Sequence, residues 1–414
     1  MPNTMQQPSM AGVEGIRAQF PALRRTHNGH QVAYFDGPGG TQVPQMVVDA
    51  MADYLLHHNA NTHWAYPTSE ETDAMLASAR RTLAEFLNGS ADEIAFGQNM
   101  TSLTFHLARG LGRAWGPGDE IVVTELDHHA NVAPWQALAV DRGITVRTVR
   151  MRPEDGTLDW DDLERHVNRK TRLVALGAAS NALGTISDVR AASDLAHAHG
   201  ALSFVDAVHY APHQLVDVQA IDCDFLACSA YKFYGPHIGI LWGRRALIEA
   251  TDVPRLAPAP QESPERLETG TQNHEAIVGA AAAVDFLAGF APRDTPGGRR
   301  GALAAAYETL HRRAMKLLEQ LWTGLEGTSG VTLFGPRPGQ PRTPTLSFVK
   351  RGENTTAIAR RLAAEGAFVS NGDYYATTVM ERLGQLPDGT VRVGMSCYSS
   401  AEDVERLLGA VRRG

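Results

Sequence analysis

The sequence of 414 residues is poor in cysteine, with only Cys223, Cys228 and Cys397. Three thiols cannot build a disulfide framework, and the four residues between the first two do not match the spacing of a zinc knuckle. An excess of positive charge is also missing. The 38 Lys and Arg stand against 46 Asp and Glu, a net charge of −8 at pH 7, which speaks against nucleic acid or an anionic membrane as the main partner. No apolar run approaches the ~18 residues of a membrane span. The opening MPNTMQQPSM has neither the basic nor the apolar region of a secretory signal. These absences lead us to expect a cytoplasmic protein that acts on small molecules, with its first ten residues or so disordered.

What remains is an ordinary folding composition, 43% hydrophobic and 20% charged, long enough for two or three domains without internal repeats. Short β-branched apolar runs alternate with amphipathic ones, the pattern of an α/β domain with a mainly parallel sheet. Strands are expected at 120–124, 172–176, 202–205, 225–228 and 239–242, and helices at 131–139 and 189–199, the latter stopped by Gly200. A proline-bearing loop, 253–271, crosses a surface or an interface. Beyond Pro292 the spacing predicts helices at 299–325, 355–365 and 401–411 and strands at 345–349 and 391–395, a smaller α+β domain. The expected division is an N-terminal segment at 1–30 packing on the small domain, a large domain at 31–292 and the small domain at 293–414.

Ligands in open α/β sheets bind beyond the carboxyl ends of the strands, and the chemistry-bearing residues cluster there. Lys232 follows the strand FLACS in SAYKFYGPHIGILWG, where partial desolvation would free its amine to form a Schiff base. Asp206 ends the strand in LSFVDAVHYAPH. A buried acid there needs a cationic partner, such as a pyridinium nitrogen or, with His209 and His213, a metal. Pro212 disfavours one regular helix presenting both histidines, and on these residues alone the two chemistries stand level. FGQNMTSLTFHLARGL starts a helix with Met100, Thr101 and Ser102, whose free N–H groups and hydroxyls suit a phosphate or simply cap the helix. His128 and His129 follow the strand IVVTE. Arg392 stands alone in VRVGMSC, where it requires an anion, either a ligand carboxylate or an internal salt bridge.

Seven ordered segments carry a resemblance: YFDGPGGTQVP (34–44), NANTHW (59–64), DHHANVAPW (127–135), SNALGT (180–185), VDAVHYAPH (205–213), SAYKFYGP (229–236) and ETGT (268–271). Together they resemble the class V aminotransferase family of fold-type I pyridoxal-phosphate enzymes, most of all its cysteine desulfurase-like branch. The resemblance implies a seven-stranded, mainly parallel sheet in the large domain, with pyridoxal 5'-phosphate (PLP) as cofactor. Lys232 would hold the cofactor covalently and move protons, Asp206 would pair with the ring nitrogen, and His128 would stack on the ring. Asn181 would contact the ring hydroxyl, beside His209 in the place of the family's usual glutamine. Met100, Thr101 and Ser229 would hold the phosphate. Thr271 would reach the phosphate of a neighbouring subunit, which implies a homodimer with shared active sites. Arg392 would bind the substrate carboxylate, and no metal is expected.

Two departures shape the functional expectation. SAYK puts Tyr231 where the family has a histidine near the phosphate. SNGDYYA (370–376) puts Tyr375 where desulfurases carry the persulfide-forming cysteine, and no thiol lies in that segment. A desulfurase needs such a thiolate, whereas the cofactor alone can withdraw the α-proton and expel a β-substituent. The expectation is therefore a β-elimination C–S lyase on cysteine, cystine or a related amino acid, with Lys232 as base and Tyr374 or Tyr375 orienting the substrate or protonating the leaving group. The alternatives are a desulfurase using another thiol, an epimerase or aminotransferase of the same family, and a non-catalytic interaction protein.

Overall fold

The computed structural model describes residues 12–413, and the disorder expected of the first ten residues lies outside them. A seven-stranded sheet organises the first part of the chain, from β1 (Ile94–Gly97), β2 (Glu120–Thr124), β3 (Thr145–Val149), β4 (Thr171–Gly177), β5 (Leu202–Asp206), β6 (Phe225–Ser229) and β7 (Gly239–Gly243). The order across the sheet is β1-β7-β6-β5-β4-β2-β3. Strands β6, β5, β4, β2 and β3 pair in parallel, and β7 runs antiparallel to both of its neighbours. Both faces are covered, which explains why these segments read as continuous apolar runs. Along β4 and β5, Val174, Leu176 and Val205 point into one core, and Leu173, Ala175 and Phe204 into the other.

The five strands expected from the sequence form with ends within a residue of expectation. Helix 131–139 is a correction: residues His129–Asn131 make a tight turn and the helix is Ala133–Arg142. Pro134, which has no N–H to give, sits in its first turn, and Gly143 closes it at φ 69°. Strands β1 and β3 were not anticipated; β3 is an edge strand with only Val149 buried, so it lacks an apolar run.

A second sheet, antiparallel throughout, has the order β8-β9-β11-β10, from β8 (Val331–Phe334), β9 (Thr345–Lys350), β10 (Ser370–Gly372) and β11 (Thr390–Gly394). Helices Gly298–Glu326, Thr355–Ala364 and Ala401–Arg412 cover it through Leu318, Leu321, Ile358, Leu362, Val404 and Leu407. The N-terminal stretch crosses to this unit: Arg17 donates to the Tyr398 carbonyl (2.8 Å) and pairs with Asp403 (2.7 Å), and Ala33–Tyr34 pairs in parallel with Ala367–Phe368. Among the described residues, no helix is long and apolar enough to cross a membrane.

Candidate active site

Parallel strands bring their carboxyl ends to one edge. The segments after β2, β4, β5 and β6, with those after β1 and before β7, therefore wall one cavity of about 1060 Å3. Lys232, His128, Asp206, His209, Asn181, Ser229, Met100, Thr101, Tyr374, Tyr375 and Arg392 all line it, although they are scattered over nearly 300 positions of the chain. Thr271 does not; it is exposed, outside its own chain's cavity.

Lys232 closes the tight turn Ala230–Lys232 after β6 and donates to the Pro38 carbonyl. Burial, reinforced by the charge of Arg392, draws its pKa down to about 7, against the pull of Asp206 and Asp36. A large share of the amine is thus unprotonated at neutral pH. Asp206 is pushed up to about 6 by burial, although Oδ1 accepts from the Val208 N–H (2.8 Å) and Lys232 lies near. A carboxyl so placed gains most from a cation brought to it.

His128 is lowered to about 4 by burial and by the charges of Lys232 and Arg392. Its Nδ1 accepts from the Ala130 N–H (3.0 Å), which leaves the proton of the neutral ring on Nε2. Ser229 Oγ accepts from the Met100 N–H (3.1 Å) at the start of helix Met100–Leu111, and Asn99 caps that helix by accepting from the Ser102 N–H (2.9 Å). Arg392, in the middle of β11 and 4% exposed, has no ion pair among the described residues; it donates to the Asn181 carbonyl (2.9 Å) and to Ser370 Oγ (3.4 Å). The internal salt bridge left open by the sequence is therefore not made. Tyr374 turns its hydroxyl away to the Thr390 carbonyl and offers its ring face to Arg392, so its phenol is not free to act in the cavity. Tyr375 stands 72% exposed at the mouth, its ring 5.5 Å from that of His128.

Asp206, His209 and His213 do not close into a ligand set; among the described residues no group of three or more His, Cys, Asp or Glu is placed to hold a metal. A flat, polar organic group fits better. Among the described residues, Asn181 Oδ1, His209 Nδ1 and Arg392 Nε are buried without partners, and all three residues line the same cavity. Buried polar atoms require partners. A pyridine ring with a hydroxyl, a phosphate and an amino-acid adduct supplies such partners, together with a ring nitrogen for Asp206 and a carbonyl carbon for Lys232.

The sequence reading missed Asp127, which lines the cavity beside Asp206. Burial lifts it to about 7, against hydrogen bonds from Thr124 and Asn131 (Nδ2, 3.0 Å). Its place at the head of DHHAN was the available signal. Also missed was His237, stacked on Tyr231 with ring centroids 4.9 Å apart and planes 15° apart.

The family model of aminotransferase class-V matches residues 33–407. A cysteine desulfurase of Pectobacterium carotovorum is 32% identical, over 97% of each chain. One of Synechococcus elongatus is 33% identical over 97% of this chain, which spans 63% of that longer protein. Among solved structures, a cysteine desulfurase from Thermococcus onnurineus superposes with TM-score 0.87 at 29% identity, covering 99% of this chain and 98% of that one. Another from Escherichia coli gives 0.84 at 27%, covering 97% and 98%. With its family model matched over nearly the whole length and the lysine, aspartate and arginine gathered in one cavity, the chain belongs to the class V aminotransferases and is a fold-type I, PLP-dependent enzyme.

Proposed function

We propose that this enzyme is a β-elimination C–S lyase acting on cysteine, cystine or a related sulfur amino acid. The observation that carries the reading is the loop 370–376. It stands at the cavity with Tyr374 and Tyr375 where the desulfurase pattern has a nucleophilic cysteine, and it is tied down at both tyrosine carbonyls. Tyr374 O accepts from Asn181 Nδ2 (3.0 Å) and Tyr375 O from the His129 N–H (2.8 Å). None of the three thiols lines the cavity, and all are buried. Burial pushes Cys397 up to about 12 and raises Cys223 and Cys228 further, so no thiolate is at hand to accept sulfur.

When bound, PLP supplies the electron sink that makes the substrate's Cα–H acidic. The side chains do the rest. Arg392 takes the α-carboxylate with its unpartnered Nε and its fork. Asp206 would pair with the ring nitrogen, His128 would stack on the ring, and Asn181 and His209 would contact the ring hydroxyl. Met100, Thr101 and Ser229 would hold the phosphate at a positive helix end. Lys232, in part unprotonated at neutral pH, would take the α-proton; the electron pair left on Cα forms the Cα=Cβ bond as the Cβ–S bond breaks with its own pair on sulfur, which leaves as sulfide once protonated. Tyr375, whose hydroxyl has no hydrogen-bond partner among the described residues, orients the substrate or gives that proton. The 2-aminoacrylate left behind takes up one water and becomes pyruvate and ammonium.

A second copy completes the reading. Thr271 is exposed, outside its own chain's cavity, and Leu55, Leu56 and Trp64 expose 49, 76 and 61% of themselves, apolar surface of the kind that dimerisation would cover. Three unbridged thiols favour a cytoplasmic setting.

The test is incubation of the purified protein with cysteine. Sulfide and pyruvate in equal amounts, unchanged when all three cysteines are replaced by serine, supports the lyase. Persulfide on any cysteine, with activity lost on its replacement, makes the enzyme a desulfurase. Racemised substrate or a pyridoxamine spectrum assigns it to the epimerase or aminotransferase chemistry of the family, and a chain with no visible absorbance band is an interaction protein. Light scattering reads the dimer directly.

A further inference from the structure

The SAYK motif lacks the histidine that the family pattern places next to the lysine, near the phosphate. We propose that His237, held flat by Tyr231, supplies the missing phosphate contact, so that this chain has moved the imidazole from one side of the Lys232 turn to the other. The inference rests on the PLP reading of the cavity and goes beyond it by assigning a further residue to the phosphate.

Three features of the packing place His237 there. It lines the same cavity as Met100, Thr101 and Ser229. It precedes Gly239 by two residues, and Gly239 lies flat against the N-cap of helix Met100–Leu111: a Cβ built on it would fall 2.4 Å from the carbonyl carbon of Asn99. Gly239 is also the register partner of Ser229, whose Oγ accepts from the Met100 N–H (3.1 Å). The start of β7, two residues beyond His237, is therefore packed against the positive end of that helix, the end that would carry the phosphate.

The second part concerns Tyr231. One face of its ring stacks on the His237 imidazole at 4.9 Å and 15°. The ring also packs against the turn 37–41, where a Cβ on Gly40 would lie 3.4 Å from it, and its carbonyl accepts from the Thr41 N–H (3.0 Å) and Oγ1 (3.2 Å). Tyr231 is thereby fixed from the backbone outward and serves as a platform that orients an otherwise exposed histidine. Among the described residues neither ring nitrogen of His237 has a hydrogen-bond partner, so its N–H is free for a ligand oxygen. An imidazole N–H to a phosphate oxygen is a charge-assisted bond, among the stronger kinds available to a protein. On this assignment Tyr231 is a positioning residue and His237 a cofactor-binding one.

The experiment compares PLP with pyridoxal, which lacks the phosphate, in titrations of the cofactor-free protein followed by absorbance. His237→Ala is expected to weaken PLP by about tenfold or more and to leave pyridoxal unchanged. Tyr231→Phe keeps the stack and keeps the affinity, while Tyr231→Ala loses part of it, again for PLP only. His237 is exposed, so its replacement does not disturb the core. Equal losses for PLP and pyridoxal, or none for either, overturn the assignment. A Tyr231→Phe loss as large as that of His237→Ala overturns it too, because the phenol would then be the ligand. A wild-type protein that takes up no PLP refutes the cofactor reading itself and the inference with it. Tight wild-type binding that is indifferent to His237 refutes the inference alone.

Discussion

The guanidinium carbon of Arg392 lies 4.1 Å from the centre of the Tyr374 ring, and Tyr374 is itself anchored by a hydrogen bond from its hydroxyl to the Thr390 carbonyl. A buried arginine with only neutral oxygens to bond keeps its charge in part through this aromatic face. Burial still lowers its pKa to about 10, which leaves it fully charged and in need of an anion at neutral pH.

Tyr374→Ala therefore removes the platform and raises KM for the amino-acid substrate by roughly tenfold or more, the scale of a desolvated cation–π contact, with a smaller effect on kcat. Tyr374→Phe retains the ring, leaves KM close to wild type and costs about 1 kcal/mol of stability for the lost hydrogen bond. Steady-state kinetics and thermal denaturation of the two variants separate the roles.

Lys232→Met abolishes the visible absorbance band and turnover, and it stabilises the cofactor-free protein. In the fold the amine titrates near 7 instead of its ordinary 10.5, so between those values the unfolded chain binds the extra proton. Wild-type stability accordingly rises with pH across that window, by up to about 1.4 kcal/mol per pH unit. The advantage of the methionine variant is largest near pH 7 and shrinks as pH approaches 10.5. Denaturant titrations at several pH values would show a constant difference if the lysine were freely hydrated.

Asp127 has the opposite sign. Its carboxyl is pushed up to about 7 from an ordinary 3.8, chiefly by burial and also by neighbouring Asp206. The native state therefore holds a proton that the unfolded state gives up between those values, and wild-type stability from this group is lost as pH rises through the window. The melting temperature of Asp127→Asn relative to wild type, both without cofactor, increases from pH 4 to pH 7. A flat difference means that Asp127 is ionised throughout.

Gly239→Ala has no room for its methyl group, which would press on the Asn99 backbone at 2.4 Å. Overpacking of this kind costs about 1–3 kcal/mol. Since the atoms displaced belong to the cap of helix Met100–Leu111, the same variant weakens PLP more than pyridoxal. Differential titration and melting curves together check both effects.

The central strands of the large sheet were legible in the sequence because they are buried on both faces and contain unbroken β-branched and apolar runs, as in IVVT and FLAC. The edge strand β3 was not, since water on one side permits Arg147 and two threonines in TVRTV. The start of the Ala133–Arg142 helix was missed because the preceding turn is held by side chains, with Asn131 bonded to Asp127. Local periodicity does not register such contacts.

The identity of the main site residues was present in the sequence, because Lys232, Asp206, His128 and Arg392 each break an apolar segment where an unpaired charge or polar ring calls for a ligand. So was the lack of a thiol in SNGDYYA. What the sequence could not decide is which group meets which. Tyr374 and Tyr375 are neighbours in the chain, yet one phenol is spent on the Thr390 backbone and the other stands open at the cavity mouth. Asp127 became a cavity carboxyl, and His237 came to lie on Tyr231. The physical reason is common to all of these: hydrogen bonding, desolvation and ring stacking act over a few ångströms, and those distances are set by strands and loops far apart in the chain. Residue types are written in the sequence, whereas the direction of a side chain and the field around it exist only once the sheet edges have been brought together.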